Sequence, residues 1–290
     1  MDRSEDILLA RLRGWKPRFL QVLQSGDHQW KARGIIDSEK QLYPLPNDTK
    51  LVSKVIEIML TPALQEFASH FGYELEFAQH QNHYPDVTIR EENENLFALD
   101  IKTAYREDEN TISGMTLGTF TGYFRDRAGT KNITYPYNSY KAHLVLGVIY
   151  SRVESSLPPQ IYALEQIDSL PVPLKDIEVF VQPKYRIASD KPGSGNTKNI
   201  GAVSEIDALI NGKGPFADLG EKVFDDYREL RNRHTRVCRS ICKSKGQETH
   251  YEVEWHRKST SPAHKVSRNQ DEVGSVYYAF YPMAGRGQMD

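Results

Sequence analysis

Residues 81–90 read QNHYPDVTIR, residues 91–95 read EENEN and residues 96–102 read LFALDIK. The first and last of these runs are rich in residues that favour β-strands, whereas the middle run is short, polar and typical of a turn. Two such runs around a turn-forming segment predict a β-hairpin.

The register of this hairpin decides which side chains share a face. If Arg90 pairs with Leu96, counting outward places Asp86 opposite Asp100, because directly opposed residues point to one face. Lys102 lies two residues beyond Asp100 and points to that same face. The opposite face is apolar and is predicted to lie against the core; it carries Phe97, Leu99 and Ile101.

Two opposed carboxylates and a nearby lysine have a specific chemical use. The carboxylates repel each other, so a cation is expected between Asp86 and Asp100. Mg²⁺ binds through one or two carboxylates plus water and phosphate oxygens, and it polarises phosphoryl oxygens and lowers the pKa of water. Lys102 would stabilise charge that develops on phosphorus or help to activate the attacking water. A surface hairpin with solvated charges is the alternative that the spacing alone leaves open.

The wider sequence carries a family resemblance. Pro85-Asp86, followed after thirteen residues by Asp100-Ile101-Lys102, resembles the PD-(D/E)xK nuclease signature. More narrowly, residues 81–86 and 99–103 are similar to the EcoRV family of type II restriction endonucleases. Further similar runs follow in the same order: residues 34–36, 43–45, 48–50, 130–133, 193–197, 199–201 and 212–214.

The resemblance implies both a fold and a function. The fold would be α/β of mixed α+β character and restriction-endonuclease type, with a central mixed sheet flanked by helices. The function would be Mg²⁺-dependent cleavage of duplex DNA at a palindromic GATATC-type site, cut at its centre to leave blunt ends with 5′-phosphates. A homodimer suits a palindrome, and a cognate DNA methyltransferase is implied as a functional partner. A repair or recombination nuclease of the same superfamily and a DNA-binding protein that does not cut are the alternatives.

Several site residues follow from the resemblance. Asp86 and Asp100 would hold the metal, and Lys102 would act in catalysis. Glu57 aligns with an acidic residue that supports the family's active site, although next to Lys54 it also fits a solvated charge. Ala104 departs from the family, which has a phosphate-contacting threonine at that position.

A glycine-rich loop at residues 189–201 is predicted to read DNA sequence. Glycine lets the backbone approach a ligand closely, and backbone groups with Asn196 and Thr197 can match base edges in the major groove. The string matches the family's recognition loop, whereas composition alone would favour a solvent loop. The predicted DNA contacts here are Gly193, Ser194, Gly195, Asn196, Thr197 and Lys198.

Other predicted DNA contacts lie outside this loop. Gln81 and Asn82 match a family loop that approaches the minor groove, but His80 departs from it by replacing a glutamine. Thr49 and Lys131 lie within two of the matching runs. The segment 228–245 holds seven basic residues and one acidic residue, so Arg231 and Arg236 are predicted to contact phosphates, with a solvated helix face as the alternative.

Length, charge and composition indicate the cellular location, the domain division and the state of the cysteines. The chain has 290 residues and a formal net charge of −2, with no secretory signal and no apolar run long enough to cross a membrane. We therefore expect a bacterial cytoplasmic protein with a nuclease domain at residues 1–245 and a polar extension at 246–290. Cys238 and Cys242 are the two cysteines; free thiols are favoured over a two-ligand zinc site.

One helix boundary is also predicted. The apolar spacing after Asp48 predicts a helix over residues 48–60. Thr61-Pro62 is predicted to end it and to begin another helix that stops at Gly72.

Overall fold

A mixed five-stranded sheet forms the centre of the fold. The computed structural model describes residues 4–80, 82–118, 122–154, 160–192 and 199–233. Its strands are β1 (Gly34–Ile36), β2 (Gln41–Pro44), β3 (Glu74–Phe77), β4 (Val87–Arg90), β5 (Leu96–Tyr105), β6 (Thr116–Gly118), β7 (Tyr140–Arg152), β8 (Tyr162–Ala163), β9 (Leu174–Pro183), β10 (Ala188–Pro192) and β11 (Ile200–Ala202). Its α-helices are α1 (Ser4–Gly14), α2 (Lys16–Leu23), α3 (Thr49–Phe71), α4 (Lys184–Ile187), α5 (Ile206–Asn211) and α6 (Glu221–Arg233).

The central sheet has the strand order β3-β4-β5-β7-β9. Strands β5 and β7 are parallel, and the other neighbouring pairs are antiparallel. Apolar side chains of α1, α2 and α3 pack on one face of this sheet in the main core. The predicted fold class, a mixed sheet flanked by helices, is therefore confirmed.

The hairpin of β4 and β5 has the predicted register. Arg90 pairs with Leu96 and Val87 pairs with Leu99. Phe97, Leu99 and Ile101 belong to the main core together with residues of α3. The alternation of side chains along β5 thus turns Asp100 and Lys102 to the face opposite α3.

The predicted helix boundary at Thr61-Pro62 is wrong, because α3 runs through the proline. Its other end signals are confirmed: Asp48 caps the first turn, and Gly72 ends the helix in the left-handed conformation. A proline inside a helix costs about 3 kcal/mol. Here Leu60 and Leu64 are fully buried on either side of an exposed Pro62, and this burial outweighs the missing hydrogen bond.

Two three-stranded sheets flank the central one. The first has the order β1-β2-β8, and the second has the order β10-β11-β6. In the second sheet β10 and β11 are antiparallel and are joined by residues 193–199. The loop predicted over residues 189–201 is wrong at its ends, because residues 189–192 belong to β10 and residues 200–201 belong to β11; residues 193–198 lie outside the described residues.

The chain divides into two units, residues 1–218 and residues 219–290. Within its described residues the second unit contains α6. The predicted boundary at residue 245, the extension 246–290 and both cysteines lie outside the described residues. Among the described residues, none of the helices is both long enough and apolar enough to span a membrane.

Gly147 of β7 gives a stability prediction. A Cβ added there would lie 2.0 Å from the ring of Phe180, its partner on β9. Gly147→Ala is therefore expected to lower the free energy of unfolding by about 1–3 kcal/mol, the usual effect of overpacking a core. Urea unfolding measures the loss. Gly26→Ala, which would meet nothing within 4 Å, is the control, and equal stability of the two variants would contradict the prediction.

Candidate active site

Three of the predicted side chains meet at the open end of the β4–β5 hairpin. The ammonium of Lys102 lies 3.1 Å from Asp86 Oδ2 and 3.6 Å from Asp100 Oδ2. The backbone N–H of Ile101 donates to Asp86 Oδ2 at 2.7 Å, which fixes that carboxylate against β5. The structure thus places Asp86, Asp100 and Lys102 in one cluster, as the register predicted.

The two carboxylates have different surroundings. The Asp86 side chain is 32% exposed, whereas the Asp100 side chain is 4% exposed. Burial raises the pKa of Asp86 and Lys102 opposes that rise, while the neighbouring Asp100 adds to it. Asp86 therefore faces the opening of the site and Asp100 forms its floor.

Lys102 is held as an ammonium by this pair of acids. Burial lowers the pKa of Lys102, but the charges of Asp100 and Asp86 outweigh burial and raise the pKa above its ordinary value. A protonated amine donates hydrogen bonds and does not accept a proton. In this arrangement Lys102 is suited to stabilising negative charge.

A second lysine, which sequence reasoning missed, contacts the same carboxylate. Lys184, the first residue of α4, has no exposed surface, and its Nζ donates to Asp100 Oδ2 at 3.5 Å. Burial lowers the pKa of Lys184, and the charge of Asp100 opposes that change. The sequence signal is weak, because a lysine after an apolar strand usually faces solvent.

Aromatic rings enclose Lys184 on its other side. Its Nζ lies 4.0 Å from the centroid of the Tyr84 ring, and the Tyr84 hydroxyl is hydrogen-bonded to Nδ1 of His143 at 2.7 Å. The His143 ring stacks on Tyr137 with centroids 3.9 Å apart. Burial, followed by the charge of Lys184, lowers the pKa of His143 well below its ordinary value. The rings beside Lys184 therefore add no second positive charge.

The donor set fits a hard divalent cation. Mg²⁺ is usually held by one or two carboxylates, with waters and substrate oxygens completing its shell. Asp86 and Asp100 supply such a pair. Within the described part of the chain, no group of three or more His, Cys, Asp or Glu side chains is placed to hold a metal ion.

The predicted residues of α3 lie beside β5. The Ser53 hydroxyl is hydrogen-bonded to the Thr103 hydroxyl at 2.5 Å and donates to the Thr49 carbonyl at 2.7 Å. Thr49 is therefore close to the strand that carries Lys102. Glu57 lies one turn beyond Ser53 and pairs with Lys54 at 2.6 Å; its catalytic role stays a prediction.

The segment that contains Lys131 lies beside Tyr84, which precedes β4. Tyr84 donates its backbone N–H to Asn132 at 3.0 Å and accepts from Thr134 at 2.9 Å. Lys131 is exposed at this point, and so is Asn82, on the turn that precedes Tyr84. Gln81 lies outside the described residues.

The remaining predicted DNA contacts fall outside what the structure describes. Residues 193–198 are not described; β10 ends at Pro192 before them, and β11 begins at Ile200 after them. Arg231 belongs to α6, with its side chain undescribed, and Arg236 lies beyond the described residues. Their contacts with DNA stay predictions.

Comparisons with known proteins identify the family of this chain. The sequence model of the family described as restriction endonuclease EcoRV matches residues 26–252. The type II restriction enzyme EcoRV of Escherichia coli is 38% identical over 215 residues, which cover 72% of this chain and 86% of that protein. The acid pair and Lys102 lie inside the matched region, and the fold is the mixed sheet that the resemblance implied. This chain therefore belongs to the EcoRV family of type II restriction endonucleases.

Proposed function

We propose that this protein cuts both strands of duplex DNA at a specific palindromic sequence, in a reaction that requires Mg²⁺. The observation that carries the proposal is the contact of one ammonium, that of Lys102, with both Asp86 and Asp100. Family membership supports a type II restriction endonuclease. The preferred site is of the GATATC type, cut at its centre to leave blunt ends with 5′-phosphates.

Each residue of the cluster has a task in this reaction. Asp86 and Asp100 hold Mg²⁺, which supplies charge neutralisation at the phosphate and a more acidic water. Lys102 donates hydrogen bonds to the phosphate oxygens on which negative charge grows, so its contribution is largest in the transition state. Glu57 supports the site from α3.

Base reading and phosphate binding are assigned to different segments of the chain. The loop 193–198 reads base edges in the major groove, and Asn82 with Gln81 approaches the minor groove. Thr49, Lys131, Arg231 and Arg236 contact phosphates. Two contacts support this division: Thr49 is linked through Ser53 to Thr103 of β5, and the segment of Lys131 is hydrogen-bonded to Tyr84, two residues before Asp86.

The homodimer forms through the β1-β2-β8 sheet. Ile35 pairs with Tyr43 across β1 and β2, and continuing the register of β2 with β8 brings Ile161 to the same face. These side chains are 51%, 39% and 56% exposed, respectively. An apolar row of this kind suits a self-complementary two-fold contact, and two copies then present two equivalent loops to a palindrome.

Cellular partners follow from the reaction. An enzyme that cuts a short palindrome would also cut the chromosome of its own bacterial cell, so a cognate DNA methyltransferase protects that site. Both enzymes act in the cytoplasm, where the DNA lies.

The direct test is digestion of plasmid DNA with Mg²⁺, followed by sequencing of the ends. We expect one six-base palindrome, blunt ends and 5′-phosphates, with no cleavage in the presence of a chelator. Cleavage at unrelated sequences would instead favour a repair or recombination nuclease. Sequence-specific binding without any cleavage would favour a DNA-binding protein that does not cut.

The loop assignment gives a prediction about specificity. A base-edge contact discriminates against a wrong base by about 1–3 kcal/mol, whereas a phosphate contact weakens binding to all sequences alike. Asn196→Ala is therefore expected to impair binding and cleavage of the preferred site far more than non-specific binding. Arg231→Ala should lower both affinities together and reduce their salt dependence. Titrations of site-bearing and site-free duplexes across a salt series measure this, and equal losses for Asn196→Ala would contradict the loop assignment.

The dimer surface gives a further prediction. Ile35→Lys places a charge in the apolar row, and burying an unpaired charge in an interface is costly. We expect this variant to sediment as a monomer at concentrations where the unaltered protein is a dimer. Ile7→Lys, which alters another exposed isoleucine (46% exposed) on α1, is the matched control. A dimer of unchanged affinity for Ile35→Lys would show that another surface is used.

A further inference from the structure

Each carboxylate of the acid pair, Asp86 and Asp100, has an ammonium of its own. Lys102 donates a hydrogen bond to Asp86 Oδ2 at 3.1 Å, and its Nζ lies farther from Asp100 Oδ2, at 3.6 Å. Lys184 donates to Asp100 Oδ2 at 3.5 Å. The two acids are therefore balanced by two cations, and Lys102 is the one held closer to Asp86.

The two ion pairs lie at different depths. The side chains of Asp86 and Lys102 are both partly exposed, whereas Asp100 is almost fully buried and Lys184 has no exposed surface. A donor to the phosphate has to lie on the open side of the site, because that is where negative charge develops on the bound substrate. In this structure the ammonium on the open side is that of Lys102.

The surroundings of Lys184 keep its ammonium beside Asp100. Its Nζ lies 4.0 Å from the centroid of the Tyr84 ring, and the face of an aromatic ring attracts a cation. A Cβ added to Gly118 of β6 would lie 3.7 Å from the same Nζ, so the second small sheet packs against it. Lysine is almost never fully buried unless it is paired. Lys184 is therefore a fixed counter-ion of Asp100.

Loss of this counter-ion would change the position of Lys102. A buried carboxylate without a compensating cation is strongly destabilising, and Lys102 is already only 3.6 Å from Asp100 Oδ2. Without the charge of Lys184, the Lys102 ammonium would be drawn inward to Asp100 and away from the opening of the site.

We propose that Lys184 is a positioning residue of the nuclease site and acts on catalysis through Lys102. By pairing with Asp100, it keeps the Lys102 ammonium beside Asp86 on the open side, where a phosphate oxygen can accept from it. Lys184 has no exposed surface, so it contacts neither the duplex nor the attacking water. This inference rests on the proposed function, because it assigns Lys184 a part in that reaction.

The first test is a double-mutant cycle on the single-turnover rate of cleavage at saturating Mg²⁺. Lys184→Met removes the charge and keeps an unbranched side chain. We expect it to cleave at least about tenfold more slowly than the unaltered protein, because misplacing a catalytic group by about 1 Å can cost about 10²-fold in rate. Its affinity for the duplex in Ca²⁺ should be unchanged.

The double variant gives the decisive rate. Lys102→Ala combined with Lys184→Met should cleave no more slowly than Lys102→Ala alone, because Lys184 acts through an ammonium that is already missing. A purely structural role of Lys184 would instead make the two losses multiply. Losses that multiply would overturn the inference.

The second test needs neither metal nor DNA and follows urea unfolding of the same four proteins. When Lys102 alone is removed, Lys184 still balances Asp100, whereas in Lys184→Met the same change leaves the acid pair without either ammonium. We therefore expect Lys102→Ala to lower the urea midpoint further in the Lys184→Met background than in the unaltered protein. Equal shifts in the two backgrounds would show that the two ammoniums do not share the acid pair, and this would contradict the inference.

Two results separate this inference from the proposed function. If Lys102→Ala cleaves at the rate of the unaltered protein, the nuclease site itself is wrong. If Lys102→Ala is slow and Lys184→Met cleaves normally, the site stands and the role of Lys184 is overturned. Lys184→Gln is a second neutral variant in case the methionine variant does not fold, and a normal rate in whichever variant folds has the same meaning. Lys213→Met, which removes an exposed ammonium paired with Asp207 at 2.9 Å, is the matched control and should cleave like the unaltered protein.

Discussion

Asp86→Ala is expected to reduce the single-turnover rate of DNA cleavage by at least about a hundredfold, the effect typical of removing one charge-stabilising group from an active site. The carboxylate is one of two oxygen donors at the open end of the β4–β5 hairpin, and it also pairs with Lys102 at 3.1 Å. Because Asp86 is 32% exposed, its removal should leave the fold intact. Cleavage in matched Mg²⁺ and binding of a site-bearing duplex in Ca²⁺ measure the two effects separately.

Asp207→Ala is the matched control. This exposed aspartate of α5 forms an ion pair with Lys213, and both residues are far in sequence from the β4–β5 hairpin. It should cleave at the rate of the unaltered protein. A near-normal rate for Asp86→Ala would remove the hairpin from the proposed mechanism.

Asp100 calls for a different substitution because it is buried between two ammoniums. Removing the carboxylate from a buried ion pair usually costs about 3–5 kcal/mol, since it leaves the partner's charge uncompensated. Asp100→Asn keeps the volume of the side chain, so inactivity and unfolding can be distinguished by urea unfolding of the same preparation. We expect an inactive protein that is folded and less stable.

Lys102→Ala is expected to lower the cleavage rate by about 10²–10³-fold, the range found when one donor to a developing negative charge is removed. Its contribution belongs mainly to the transition state, so duplex affinity in Ca²⁺ should stay close to that of the unaltered protein. The measurement is the ratio of cleavage rate to affinity on the same duplex. Weak binding with cleavage largely preserved would make Lys102 a DNA anchor instead.

The geometry of the acid pair could be predicted because it is local. With two β-prone runs joined by five residues, one pairing register of the hairpin buries Phe97, Leu99 and Ile101 on a single face. The same register sets Asp86 opposite Asp100. The structure has this register. Strand alternation therefore determines the geometry of the cluster, whereas its chemical role came from resemblance to a family.

The features that the sequence did not predict depend on packing between residues that are far apart in the chain. Lys184 reaches Asp100 across 84 positions of sequence, and no spacing rule connects a strand end to a side chain two strands away. The helix boundary at Pro62 failed for a related reason. Local preference predicts a break there, but burial of Leu60 and Leu64 against the sheet, which is a tertiary effect, outweighs it.

The order in which these strands leave the ribosome has a consequence for biosynthesis. The acid-bearing hairpin is complete by Lys102, yet β7 has to emerge before β5 gains its second neighbour, and β9 has to emerge before β7 gains its own. Helix α1 gains its contacts with β9 equally late, because Arg13 donates a hydrogen bond to the carbonyl of Val181, 168 positions later in the chain. A nascent or prematurely terminated nuclease chain therefore carries two aspartates without the strands that hold them in place. For a protein whose substrate class includes its own chromosome, late assembly of the site means that incomplete chains are expected to be harmless to the cell that makes them.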